Sequence, residues 1–262
     1  MDDNYQTYLN RVAKMMLPEA YKNQVEHIQT SSKFQPYSGI RKAAPFPGYT
    51  LITPPAAEDT QNSAFYQQLE VYQNQLLQLT GDSELIVPLP PASFHLTLAD
   101  LIWDSAYYHA CEENPQFPEE LQLCIQDIFS QYQSSLNKPV QPIAWQMLGL
   151  VVMPRALGVC LVPKDERCYE EIVQFRRQIY QNPQLMALGI EQHYHLTAHI
   201  TLAYFGEIPP EFDRKKFGQK IAELNQQWLA DSPELMIQRV ELRKFDDMTN
   251  YYRQTDWPSL DF

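Results

Sequence analysis

The chain has 262 residues, 44% hydrophobic and 20% charged, ordinary globular usage that excludes a disordered or fibrous protein. Its 32 acidic and 20 basic side chains leave a formal charge of −12, which disfavours adhesion to a nucleic-acid backbone or an anionic lipid surface. Neither GxGxxG nor GxxxxGK[ST] occurs among the 8 glycines, so any phosphate must be gripped by other local chemistry.

The first residues are acidic and polar, without the basic and then apolar regions of a signal peptide. The most apolar stretch, 145–163, is broken by Gln146, Pro154, Arg155 and Gly158 and does not read as a membrane span. Cys111, Cys124, Cys160 and Cys168 have no CxxC spacing, which points to reduced thiols in a cytoplasmic protein, with Cys160 in the core.

Residues 1–33 read as a polar helical lead-in, with Tyr8, Val12, Met15 and Met16 at helical spacing before Pro18. A Pro- and Gly-rich loop follows over 35–48, then a short strand over 49–53. Residues 64–79 form a helix, since Phe65, Leu69, Tyr72, Leu76 and Leu79 recur on one face. Residues 84–100 are extended, interrupted by Pro88, Pro90 and Pro91. Further helices are expected at 119–136, 165–180 and 214–229. Strands are expected on either side of a turn at 154–158, at 197–205 and at 235–245, before an aromatic tail that packs back on the body. Helices and strands alternate without a regular βα period, so the class is α+β.

One internal repeat stands out. Residues 93–101 read Ser-Phe-His-Leu-Thr-Leu-Ala-Asp-Leu, and 197–205 read Thr-Ala-His-Ile-Thr-Leu-Ala-Tyr-Phe. On a strand, alternation puts His95 and Thr97 on one face and Phe94, Leu96 and Leu98 on the other; His199 and Thr201 follow the same rule. Ala99 and Ala203 continue the polar face, whereas Tyr204 is assigned to the core side with Ile200 and Leu202. Two such strands facing one cleft supply two imidazoles and two hydroxyls. One neutral histidine can take a proton, the other can deliver one, and the threonines can hold phosphate oxygens.

Paired H-x-T/S strands about a hundred residues apart, each behind a helix, resemble the 2H phosphoesterase superfamily, which includes 2′-5′ RNA ligase-like proteins and 2′,3′-cyclic nucleotide phosphodiesterases. The sequence is similar to an uncharacterised branch, in Pro45-Phe-Pro-Gly48 and in Phe94-His-Leu-Thr-Leu98. The resemblance implies a bilobal α+β fold, two pseudo-symmetric antiparallel sheets flanked by helices around a central cleft. It also implies metal-independent chemistry on a 2′,3′-cyclic or 2′-5′ phosphodiester, with His95 and His199 catalytic and Thr97 and Thr201 on the phosphate. It spans roughly 45–245, divided near 140 into two lobes. Outside it lie an N-terminal helical extension, 1–44, and a tail, 246–262.

Plainer readings compete. A lone His-x-Thr is usually an ordinary half-exposed pair; it is the matched pair that carries weight. His195 also begins an H-x-T, but only His199 precedes the Leu-Ala of the first motif. A zinc site on His193, His195 and His199 fits poorly, because six strand residues span about 20 Å. His27 and His109 have no sequence partners and read as surface or capping residues.

Arg41, Lys42, Arg155, Arg243 and His195 are candidate accessory residues, with Arg239 and Lys244 behind them, and Tyr49 and Phe46 could line a stacking wall. The expected ligand is a small nucleotide or an RNA terminus, with no cofactor, no metal, no long nucleic acid and no membrane, bound by a monomer. The competing functions are a nucleotide- or RNA-end-binding module without turnover and a metal-dependent hydrolase centred on His193 and His195.

Overall fold

The computed structural model describes residues 1–81, 84–135, 141–230 and 232–262. Helix α1 (Tyr5–Met15) starts where the Asn4 side chain accepts from Thr7 N at 2.8 Å, and α2 (Pro18–Glu26) starts on a proline whose missing N–H costs nothing at a first turn. The expected loop after them contains a hairpin, β1 (Phe34–Tyr37) and β2 (Ile40–Ala43). Ser38 and Gly39 turn it with φ of 48° and 81°, the positive-φ pair that a two-residue hairpin uses, so the extension is not wholly helical.

Strand β3 (Gly48–Ile52) leads to α3 (Ser63–Thr80), whose Phe65, Leu69, Tyr72 and Leu76 are buried as their spacing predicts. The proline-broken stretch becomes β4 (Ile86–Pro88), a 3₁₀ turn at Pro91–Ser93, and β5 (Thr97–Trp103). Helix α4 (Asp104–Glu113) was not legible in the sequence; it begins at Asp104, whose φ of 52° turns the chain sharply out of β5. Helix α5 (Phe117–Ser135) matches the helix expected at 119–136, whose last residue, Leu136, lies outside the described residues.

Then come β6 (Ile143–Val152), β7 (Ala156–Pro163), α6 (Glu166–Tyr180), a short α7 (Pro183–Ala187), β8 (His199–Phe205) and α8 (Arg214–Trp228). The strand expected at 235–245 is two strands, β9 (Glu234–Ile237) and β10 (Arg239–Asp247), and the tail adds β11 (Asn250–Tyr252) and β12 (Ser259–Asp261).

Two five-stranded antiparallel sheets result. One runs β11-β10-β3-β5, with β12 also on β10; the other runs β4-β8-β7-β6-β9. Each draws on both halves of the chain: β4 pairs with β8, and β10 pairs with β3. The break between Ile237 and Arg239 is where the chain crosses from one sheet to the other. A cut near residue 140 therefore does not separate the sheets, and the buried side chains form one continuous cluster from Tyr8 to Leu260. Helix α6 packs on β5 as well as on β6 and β7, bridging the sheets. All four cysteines are free, and Cys160 is fully buried. Among the described residues, no helix is long and apolar enough to cross a membrane.

Candidate active site

The two motif histidines are mounted alike. His95 Nδ1 lies 2.7 Å from Ser93 O, and His199 Nδ1 lies 2.7 Å from Thr197 O. A carbonyl only accepts, so Nδ1 carries the proton in each ring and Nε2 is left for chemistry. His199 is the first residue of β8, opposite Cys160. His95 lies just before β5, on extended chain tied to the end of β3 by Thr53 N to Leu96 O, 2.9 Å, and Leu96 N to Thr53 Oγ1, 3.0 Å. Thr97 and Thr201 are both half-buried, so water reaches each motif on its threonine side.

Beyond the threonines strict alternation ends, in both motifs at the same place. In the pairing of β3 with β5, Leu51 faces Ala99 and Ile52 faces Thr97, leaving Leu98 as an extra residue. In the pairing of β7 with β8, Leu157 faces Ala203 and Gly158 faces Thr201, leaving Leu202 extra. A bulge at the leucine after each threonine shifts the residues that follow to the other face. Ala99 and Ala203 are therefore fully buried, and Asp100 is exposed in their stead.

Tyr204, at the matching place in the second motif, is buried in the core cluster as expected. Its ring lies 5.2 Å from the Lys33 ammonium and 5.6 Å from Phe34, and it interacts electrostatically with Asp100. Gly158 accommodates the second bulge, since a Cβ there would sit 2.4 Å from Ile200 O.

These groups form an electrostatic unit. Burial pushes the His95 imidazole down to about 4, aided by the positive charges of His199 and Arg243 and opposed by the bond to Ser93. Asp100 is open to water on one side yet crowded by protein. That crowding raises its carboxyl above the usual range, against the pull of His199, Arg176 and Lys33. Burial pushes the Lys33 ammonium down to about 8, against the attraction of Asp100. Lys33 also lies 4.5 Å from the Phe46 ring centroid. The tail closes the other side: the Tyr251 ring centroid is 4.2 Å from that of His95.

Most of the expected accessory cations are engaged elsewhere. Arg41 lies 3.4 Å from Glu207 and 3.9 Å from Glu84, and Lys42 sits over the Tyr37 ring at 3.7 Å; exposed Arg155 reaches Gln29 at 3.4 Å, and its charge also acts on Lys33. Arg243 is 2% exposed and bonds Glu58, Glu241 and Tyr251 O, so it acts on His95 through its field and through Tyr251. Arg239 pairs with Asp261 at 2.6 Å. Lys244 lies 5.8 Å from the Tyr107 ring.

His195 is exposed, outside β8, and 3.6 Å from Asp3; His193 lies against Trp103, 5.1 Å between centroids. No group of three or more His, Cys, Asp or Glu among the described residues is arranged to hold a metal ion. His109 lies 3.5 Å from Glu113 on the surface. Tyr49 is core, 2% exposed.

Lys33, Asp100 and Tyr251 had no motif to mark them. Only the gapless alignment of the repeats could have flagged Asp100, as the polar mismatch opposite Tyr204.

Residues 36–148 match the family model described as 2H-phosphodiest, Domain of unknown function (DUF1868), a segment that holds the first motif and ends before the second. No curated protein matches the chain in sequence. Among solved structures, a conserved protein of unknown function from Agrobacterium tumefaciens str. C58 aligns with a TM-score of 0.56 at 17% identity, over 89% of this chain and 96% of that one. That likeness establishes a shared fold. E. coli LigT complexed with 3′-AMP aligns at 0.45 and 17% identity (81% and 97% covered), and TT0787 of Thermus thermophilus at 0.43 and 13% (77% and 98%).

Proposed function

We propose that this chain, which resembles the 2H phosphoesterase superfamily and matches its phosphodiesterase model over residues 36–148, is a metal-independent phosphoesterase acting on a 2′,3′-cyclic or 2′-5′ phosphodiester. The observation that carries this reading is the duplicated mounting of His95 and His199, each with Nδ1 bound to the carbonyl two residues back and Nε2 left over.

In a cyclic phosphate, His95 Nε2 takes a proton from water as the water oxygen bonds to phosphorus. The bond from phosphorus to one ribose oxygen breaks, and protonated His199 gives that oxygen its proton. The product is a phosphomonoester beside a free hydroxyl, and solvent returns the proton from His95 to His199. The surroundings support this assignment of roles. The depressed basicity of His95 keeps it neutral near pH 7, as a base must be, while Asp100 supplies the counter-charge for an imidazolium at His199. Thr97 and Thr201 hydrogen-bond the non-bridging oxygens, and Lys33 adds the cation that an acidic protein otherwise lacks there.

The test is hydrolysis of 2′,3′-cyclic nucleotides and 2′-5′-linked dinucleotides by purified protein in chelator. His95→Ala and His199→Ala are each expected to lower kcat by about 10² to 10⁴. Turnover unchanged in both variants rejects the mechanism. Ligand-induced stabilisation of the wild-type protein with no product in any assay would make it a binding module.

A further inference from the structure

The two motifs share the bond that orients the imidazole, but they support the accepting carbonyl differently. Ser93 is held locally: its N–H and hydroxyl both donate to Pro90 O, at 2.9 and 2.7 Å, within the proline-started 3₁₀ turn. Thr197 has no such turn, for residues 191–198 lie outside any helix or strand. The chain there is held by β7, through Leu161 N to Ala198 O at 2.8 Å, and by the N-terminus, almost 190 residues away in sequence.

Arg11 on α1 donates to Thr197 Oγ1 at 2.7 Å and to Leu196 O at 2.5 Å, and is itself aimed by Asp3 at 2.8 Å. Asp2, 3% exposed at its side chain, accepts from Leu196 N at 2.6 Å and pairs with buried Arg176 at 2.7 Å. Tyr8 Oη accepts from Ala198 N at 3.3 Å and donates to Leu161 O at 2.7 Å. Arg176 also donates to Leu98 O in the first motif and to Tyr194 O ahead of the second.

We propose that residues 2–11 are a positioning device for the second imidazole, with Arg11 the positioning residue that holds Thr197 by its hydroxyl and by the Leu196 carbonyl before it, beside the Tyr8 contact to Ala198 N, and so aims His199 Nε2. The claim about turnover rests on the phosphoesterase reading; the claim about imidazole alignment does not. The physical reason is that Thr197 lies ahead of β8 with only the Leu161 bond to Ala198 O from the neighbouring strand, so a hydrogen bond to its carbonyl orients a ring only as well as the peptide is itself held. Arg11 suits this because its planar fork binds Oγ1 and a carbonyl together, which a lysine cannot do in the same geometry.

The experiment compares the full-length wild type with Arg11→Ala, Arg11→Lys and Thr197→Val by side-chain ¹⁵N spectra of the histidines and by steady-state kinetics. In Arg11→Ala the His199 Nδ1–H signal should move and broaden while that of His95, held by its own turn, stays in place. Arg11→Lys should recover part of the signal. On a 2′,3′-cyclic nucleotide, kcat should fall about ten- to a hundredfold with KM little changed, the signature of misaimed catalytic groups. Thr197→Val removes one Arg11 contact while keeping the carbonyl, and it serves where Arg11→Ala fails to fold. A His199 signal and a kcat unchanged in folded Arg11→Ala, or equal movement of both histidines, overturns the proposal. A His199-selective shift in a protein that hydrolyses none of the substrates supports positioning while rejecting the phosphoesterase reading.

Discussion

Asp100 and Tyr204 occupy equivalent places in the two motifs, and this difference gives the two histidines unequal charged surroundings. Burial lowers the basicity of His95, and the Asp100 carboxylate interacts with His199. The pH dependence tests it. Because burial holds His95 near 4 against an ordinary 6.5, the acidic limb of kcat/KM should lie near pH 4. The linkage runs the same way for stability. The unfolded chain binds a proton at residue 95 below about pH 6.5 that the folded chain refuses until about pH 4, so stability should rise with pH across that window. Thermal melts of His95→Gln should show a shallower pH dependence there than the wild type; an equal slope contradicts the burial of a neutral imidazole. Lys33→Ala should lower kcat/KM about tenfold or more, the worth of one charge-assisted contact to phosphate, without changing the melting temperature greatly.

At the scale of elements, the paired bulges at Leu98 and Leu202 turn Asp100 toward solvent and set Tyr204 against Lys33. The second bulge depends on Gly158, which lies against Ile200 O too closely for any side chain. Gly158→Ala should therefore lower stability by about 1–3 kcal/mol and disturb Thr201, read as a lower melting temperature with a raised KM. The amphipathic helices were legible because one buried face leaves a 3.6-residue period, as in α3 with Phe65, Leu69, Tyr72 and Leu76. The bulges were not, since an extra residue in one strand is defined only by its partner. The split at Gln238 was hidden for the same reason: 235–245 reads as one apolar-rich run, and only pairing shows that its ends belong to different sheets.

For the whole molecule, the charge of −12 bears on how a ligand approaches. On the proposed reading, a small anionic substrate is repelled at long range and gripped locally by Lys33 and the imidazoles. Raising ionic strength from about 10 mM to 150 mM should then increase kcat/KM for a cyclic nucleotide, because screening weakens the repulsion. A fall with salt would signal contacts along a polyanion backbone instead.

The sequence by itself determined the repeated His-x-Thr strands, the α+β class and the apolar faces of the long helices, because these follow from periodicities of two and 3.6 that each segment carries alone. Tertiary structure decided the rest of the site: Lys33 from the extension, Asp100 and Tyr204 turned by bulges, Tyr251 from the tail, and an N-terminal helix bound behind His199. Those residues are far apart in the chain or out of phase with it, and a contact made only when two distant segments pack leaves no local period to read.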